Sequence, residues 1–316
     1  MKRTISFLLS LVMLMTFFGC AMIPEKVPYE EKTPREEQAV DFVNIATLSS
    51  PSGIGMSYLF GKSDSGKSIN KYKYEISSNP QSIADRLVSG ELDIAALPTY
   101  LAAETYSMTS GKIRVISINT LGALYVIEKG KSIKDLDDLK GKTVYCIGEG
   151  STEDHVMKYM CKDAKLDYSY GTSIELSDAL VSGKIDIAIL QEPYVSAVLA
   201  ENKDLRRAID LEGEWNDGAM ATECVAVNTE FLSAHPLVVN DFLIEYSDSI
   251  KNMNSKEDAA AVAAGFGIVK DAEILKTAIP LCKLSFVSGT EMNQKASAYL
   301  KALSAPAVDS NFYFVA

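Results

Sequence analysis

The chain has 316 residues, 47% hydrophobic and 23% charged, with a formal net charge of −11. That length has room for two compact lobes, and the acidic balance excludes a nucleic-acid-binding face, which needs a basic excess. Five cysteines without a Cys-x-x-Cys pair, and two histidines (His155 and His235), argue against a zinc ribbon, a thioredoxin-like motif or a histidine-rich metal site; no metal or cofactor is expected.

Lys2 and Arg3 precede an almost unbroken apolar run from Ile5 to Phe18. The run has the length of a secretory signal core and falls short of the ~20 residues a membrane span needs. It ends in Phe17-Phe18-Gly19-Cys20, which resembles the lipobox of bacterial lipoproteins. The reading is a signal peptide over 1–19, lipidation of Cys20 and a place at the extracytoplasmic face of the cell membrane. Loss of Lys2 and Arg3 takes the charge from −11 to −13. Residues 20–40 read as a disordered tether, because Glu25 to Gln38 is rich in Pro, Glu and Lys with little to bury. No later segment is long and apolar enough to span a bilayer. Cys146, Cys161, Cys224 and Cys282 could form two disulfides in an exported protein, with no pairing fixed by their spacing; the favoured expectation is mostly buried free thiols acting as small apolar residues.

From residue 41 onward, short β-rich runs alternate with helical segments, the pattern of an α/β fold. Strands are expected at Asp41–Thr47, Tyr72–Ile76, Leu92–Leu97 and Ile113–Asn119. Helices are expected between them at Gly53–Lys62, at Gln81–Ser89 behind Pro80, and from Pro98 to about Ser110. Strands follow at Ala123–Glu128 and Thr143–Ile147, with a helical turn at Ile133–Lys140 between them. A helix is expected from Glu153 to Ala164, and another opens at Gln191-Glu192-Pro193. Further strands are expected near Leu205–Leu211, Glu223–Asn228 and Leu284–Val287, within a mostly helical tail.

One segment is echoed. Ala84–Pro98 reads ADRLVSGELDIAALP and Ser177–Gln191 reads SDALVSGKIDIAILQ, identical at nine of fifteen positions without a gap. Each copy has apolar residues at helical spacing, a Ser-Gly stop, and a continuous apolar run of the kind that forms a buried strand. The repeat predicts two related lobes, each with its own core.

Several segments, in order, carry a family resemblance: Ser52-Gly53-Ile54-Gly55-Met56, Leu87-Val88-Ser89-Gly90 with Asp93-Ile94-Ala95, and Asn119-Thr120-Leu121-Gly122. Asp138-Leu139-Lys140-Gly141-Lys142-Thr143, Glu192-Pro193-Tyr194 and Ile279-Pro280-Leu281-Cys282 complete the set. With a lipobox ahead of them, the chain resembles the type II periplasmic solute-binding proteins, in the branch of nitrate, sulfonate, taurine and thiamine-pyrimidine binders. The resemblance implies a two-lobed α/β fold, each lobe a mainly parallel sheet flanked by helices, joined by crossing strands near Ser117–Leu124 and Ala219–Asn228. Lobe 1 would be 41–120 plus 223–316, and lobe 2 would be 121–222. It also implies a monomer that works with an ABC permease and its ATPase.

In such sheets ligands bind beyond the carboxyl ends of the strands, where helix N-termini offer free N–H groups. The candidate ligand-binding residues of the first lobe are therefore Ser50, Ser52 and Gly53, then Asn79, Pro98 and Thr99. Those of the second are Gly150, Ser151 and Thr152, with Glu192 and Tyr194. The Gly148–Thr152 turn lacks the P-loop lysine and is no nucleotide cradle. No Arg or Lys occurs on these loops, whereas Glu149, Glu153, Asp154 and Glu192 do. A neutral, zwitterionic or cationic solute, such as a heterocycle stacked on a Tyr or on Trp215, fits that better than nitrate or a sulfonate. The expected function is capture of a small-molecule solute for an importer, without catalysis. The alternatives are a sensor lipoprotein of the same fold and an enzyme like the thiamine-pyrimidine synthases. The latter use a Cys-rich motif and histidines, and no such cluster is present.

Overall fold

The structure, a computed structural model, describes residues 40–315. The expected signal peptide, Cys20 and nearly all of the tether lie outside the described residues. In chain order, β1 (Val43–Leu48) leads into α1 (Pro51–Asp64), β2 (Tyr72–Ser77) into α2 (Pro80–Ser89), and β3 (Ile94–Pro98) into α3 (Thr99–Met108). β4 (Ile113–Leu121) carries the chain across to β5 (Leu124–Lys129). Then come β6 (Thr143–Tyr145), α4 (Thr152–Met160), β7 (Lys165–Asp167), α5 (Ser173–Val181), β8 (Ile187–Gln191), α6 (Tyr194–Glu201) and β9 (Leu205–Asp210). β10 (Ala221–Asn228) returns to the first sheet. It is followed by α7 (Thr229–Ala234), α8 (Pro236–Ser255), α9 (Ala259–Gly265), α10 (Ala272–Ala278), β11 (Leu284–Val287) and α11 (Gly289–Ala302).

Two sheets form, in the orders β11-β4-β10-β3-β1-β2 and β7-β6-β8-β5-β9. Their pairing corrects the expectation of mainly parallel sheets. β1 pairs in parallel with β2 and β3, and β6 with β7 and β8. β10 runs antiparallel to β3 and β4, and β5 antiparallel to β8 and β9. The cause is topological: a strand arriving from the other lobe enters against the direction of the strands it meets. Another difference is local. The helix expected to reach Ala164 stops at Met160, and β7, too short to show an alternating pattern, follows.

Both copies of the repeat fold as helix, left-handed glycine, central strand. Gly90 and Gly183 take φ of 78° and 70°, the region glycine enters without steric cost, and so end α2 and α5 cleanly. β3, and β8 as far as Leu190, are apolar because both faces of each sheet are covered. Ile94 and Ala96 pack into the layer of α1 and α8, while Ala95 and Leu97 pack toward α2, α3 and α11. In β5, Tyr125 and Ile127 face α5 and α6, while Leu124 and Val126 face the other way. The cores are not fully separate. One apolar cluster runs from the first sheet to the second through Leu124, Leu211, Trp215 and Met220, since the connections between lobes bury apolar side chains of their own. Cys146, Cys161, Cys224 and Cys282 are free and buried in these layers. Among the described residues no helix is long and apolar enough to cross a membrane.

Candidate functional site

The carboxyl ends of strands of both sheets open onto one cleft of about 440 Å³. From the first sheet come Ser49 and Ser50 after β1, Ser78 after β2, and Pro98 at the end of β3. From the second come Gly150 and Ser151 after β6, Thr172 before α5, and Gln191 at the end of β8. The two copies of the repeat thus deliver their last residues, Pro98 and Gln191, to opposite walls. Each wall is built from helix starts whose first amides are capped by their own side chains. Ser50 Oγ accepts from Ser52 N at 3.3 Å, Asn79 Oδ1 from Ser82 N at 3.0 Å, Ser151 Oγ from Asp154 N at 3.2 Å, and Thr172 Oγ1 from Glu175 N at 3.2 Å.

At the floor lies Glu223 of β10, only 3% exposed yet lining the cleft. Its Oε2 accepts from Ser52 Oγ at 2.5 Å, Ser50 Oγ at 3.0 Å, Ser52 N at 3.1 Å and Thr120 Oγ1 at 3.3 Å. Asn119 donates to Ser52 Oγ at 2.9 Å and holds that hydroxyl in place. Oε1 accepts from Gln191 Nε2 of the second lobe at 3.1 Å. Burial pushes the Glu223 carboxyl above the ordinary carboxylate range, against these hydrogen bonds, which favour its charged form. Across the cleft, Glu153 at the start of α4 is 4% exposed, and burial, with the nearby Glu223 charge adding to it, pushes its pKa up to about 7. Tyr100 and Tyr194 supply rings to the walls. The Tyr100 ring also stacks on His155 of α4, centroids 3.5 Å apart, a second contact between the lobes.

The residues singled out from sequence divide into two groups. Ser50, Pro98, Gly150, Ser151, Thr152 and Tyr194 line the cleft. Ser52, Gly53, Asn79, Thr99 and Glu192 do not. Ser52 is wholly buried as a donor to Glu223. Gly53 serves packing rather than ligand approach: a Cβ there would lie 2.4 Å from the carbonyl oxygen of Leu48. Asn79 is an exposed cap and Thr99 is wholly buried. Glu192 is fully buried and accepts from Arg207 Nη2 and from Ser196 Oγ and N. Asp154, expected on the rim, is turned inward to Tyr168 at 2.6 Å, Gly150 N at 2.8 Å and Lys158 at 3.0 Å. Those bonds hold its carboxyl below the ordinary range despite burial. Trp215 is not available for stacking a guest; it packs in the core between Tyr159 and Tyr299, ring centroids 5.0 and 5.5 Å away. Sequence reasoning missed Glu223 and Glu104. The signal for Glu223 was a lone carboxylate in the otherwise buried run Ala221–Asn228, a placement that demands partners.

Residues 112–260 match the family model described as NMT1/THI5 like. No curated protein sequence matches the chain. Among solved structures, an ABC transporter protein from Parabacteroides distasonis is 22% identical, with TM-score 0.70 over 87% of this chain and 99% of its own. The periplasmic aliphatic sulphonate binding protein SsuA from Escherichia coli is 15% identical, with TM-score 0.67 over 85% and 90%. A Candida albicans gene product described as having the generic periplasmic binding protein fold is 14% identical, with TM-score 0.59 over 86% and 93%. The chain has the periplasmic binding protein fold, and its segment 112–260 resembles the NMT1/THI5-like family.

Proposed function

We propose that this chain is the extracytoplasmic solute-binding component of an ABC importer, held to the membrane by a lipid on Cys20. It captures a small molecule between its lobes and hands it to a membrane permease, doing no chemistry on its guest. The observation that carries this reading is the cleft itself, about 440 Å³ and polar on both walls, with lining residues drawn from the strand ends of two sheets. A guest touching both walls favours the closed arrangement, and closure is what a permease can recognise. The likeness to an ABC transporter protein and a sulphonate binding protein supports the same role.

The test is capture. The full chain, solubilised in detergent, is incubated with a total small-molecule extract and passed through a desalting column. It is then denatured, and the released molecules are read by mass spectrometry in both ion polarities. One species retained in near-stoichiometric amount is expected. Retention of nothing would sink the proposal. Replacement of Cys20 by Ser should release the chain from the membrane fraction.

A further inference from the structure

We infer that the cleft takes a small organic cation bearing N–H donors, of the protonated-amine class, and that Glu223 is the residue that selects it. The inference rests on the solute-binding reading above and narrows it to one class of guest.

The start of α1 is the place in the first lobe where an anion would ordinarily be held, since helix N-termini present N–H groups and a partial positive end. Here a carboxylate from the protein itself holds that place. Four donors converge on Glu223 Oε2: the Ser52 amide and hydroxyl, Ser50 and Thr120. That oxygen is saturated. Oε1 has only Gln191 Nε2, and it belongs to a residue that borders the cavity. An incoming nitrate or sulfonate would meet a carboxyl group where it needs donors, with the donors at the start of α1 already taken.

A second, independent observation points the same way. Glu153 borders the cavity from the other lobe at 4% exposure, and among the described residues no cation pairs with its carboxylate. A carboxylate so buried is costly unless a cation joins it. Among the described residues no Lys, Arg or His borders the cleft, while Glu104 and Glu149 border it as well. The cations of the second lobe nearest in sequence to these residues are already engaged. Lys158 pairs with Asp154 at 3.0 Å and Glu149 at 3.4 Å, and Arg207 pairs with Glu192 at 2.5 Å. Without a guest a proton is what can neutralise these carboxyls; a cationic guest supplies a counter-charge in its place. An ammonium group supplies the charge and the N–H donors that Glu223 Oε1 and Glu153 lack. Tyr194, and the side of Tyr100 not stacked on His155, border the cavity and suit a cation or the apolar body attached to it.

The test uses the full chain in detergent and a set of alkyl and phenylalkyl skeletons, each supplied as the ammonium, the neutral amide and the sulfonate. Thermal stabilisation by ammonium members alone is expected. Glu223→Gln should weaken ammonium binding about 30-fold or more, the loss typical of removing one partner of a buried charge pair. Because E223Q alters a buried network, Glu153→Gln is run beside it and should weaken the same members. Stabilisation by the sulfonate or amide forms equal to the ammonium overturns the cation class. So does unchanged ammonium affinity in both variants. If the chain captures a solute from extract and no ammonium member stabilises it, the cation class fails and solute binding stands. If it captures nothing and responds to nothing, both fail.

Discussion

Glu192 follows β8 in the second lobe, and Glu223 lies on β10 in the first; their exposures are 0% and 3%. Burial raises the pKa of both. The fold answers the two charges differently. Glu192 is given a cation: Arg207 Nη2 reaches it, also bonds Ser196 Oγ at 3.0 Å, and lies over the Tyr125 ring. Glu223 is given hydroxyls, an amide N–H and a carboxamide, which stabilise a negative charge without cancelling it. A carboxylate neutralised inside the protein is part of the scaffold. One held only by neutral donors at the edge of a cavity has no counter-charge of its own within the protein.

The largest effect should come from breaking the neutralised pair. Arg207→Met leaves Glu192 buried without its cation and should cost about 3–5 kcal/mol in urea denaturation. Adding Glu192→Leu in the same chain should restore most of that loss, because an apolar pair of similar volume carries no desolvation penalty. Glu223→Gln keeps an acceptor for the Ser52 amide and should move unliganded stability by no more than about 1 kcal/mol. Equal losses in R207M and E223Q would erase the distinction between the two sites.

A smaller effect concerns pH. Glu153 has an ordinary value of 4.5 and a folded value of about 7. Between those limits the folded chain binds a proton that the unfolded chain has released. Stability contributed by this group is therefore full below pH 4.5 and is lost as pH rises to about 7, with a slope of at most ~1.4 kcal/mol per pH unit. Among neighbouring charges, Glu223 adds more to this shift than the paired Asp154. His155, whose pKa burial lowers, acts with the opposite sign, losing stability as pH falls. Melting curves of the wild type and Glu153→Gln across this window should diverge, the variant being flatter. An ammonium guest should flatten the wild type as well, by holding Glu153 ionised. Parallel curves would mean that Glu153 titrates normally.

Much of the fold was legible because periodicity and glycine stops are local. The repeat Ala84–Pro98 and Ser177–Gln191 announced its helix, its turn and its buried strand in order, and β11 was read at its observed limits. The antiparallel entry of β5 and β10 was not legible, because pairing direction depends on a return from another lobe. The same divide runs through the site. Ser151 and Ser50 were readable as caps at strand-to-helix turns, and caps at that end of a sheet face a cleft. Glu192 looked like a rim acid because its partner, Arg207, lies fifteen residues away on β9. Glu223 looked like a strand residue because its donors lie as far away as Ser50, across 173 positions. A side chain's position along an element can be read locally; whether its charge is cancelled cannot.

The smallest expected effect tests a ring contact between the lobes. Tyr100 on α3 and His155 on α4 stack face to face with an interplanar angle of 18°, and burial lowers the histidine pKa, which favours the neutral ring at pH 7. The contact is therefore ring on ring, not cation on ring. A double-mutant cycle with Tyr100→Leu and His155→Leu should return about 0.5–1.5 kcal/mol of coupling in the unliganded chain. Because the two rings belong to different lobes, the coupling reports how firmly the lobes already touch before a guest arrives. If the cycle closes with no coupling at neutral pH, the stack contributes nothing to that contact. The polar bridge from Gln191 to Glu223 would then stand as the tie at the cleft floor, and a guest that claims Glu223 Oε1 would have to replace it.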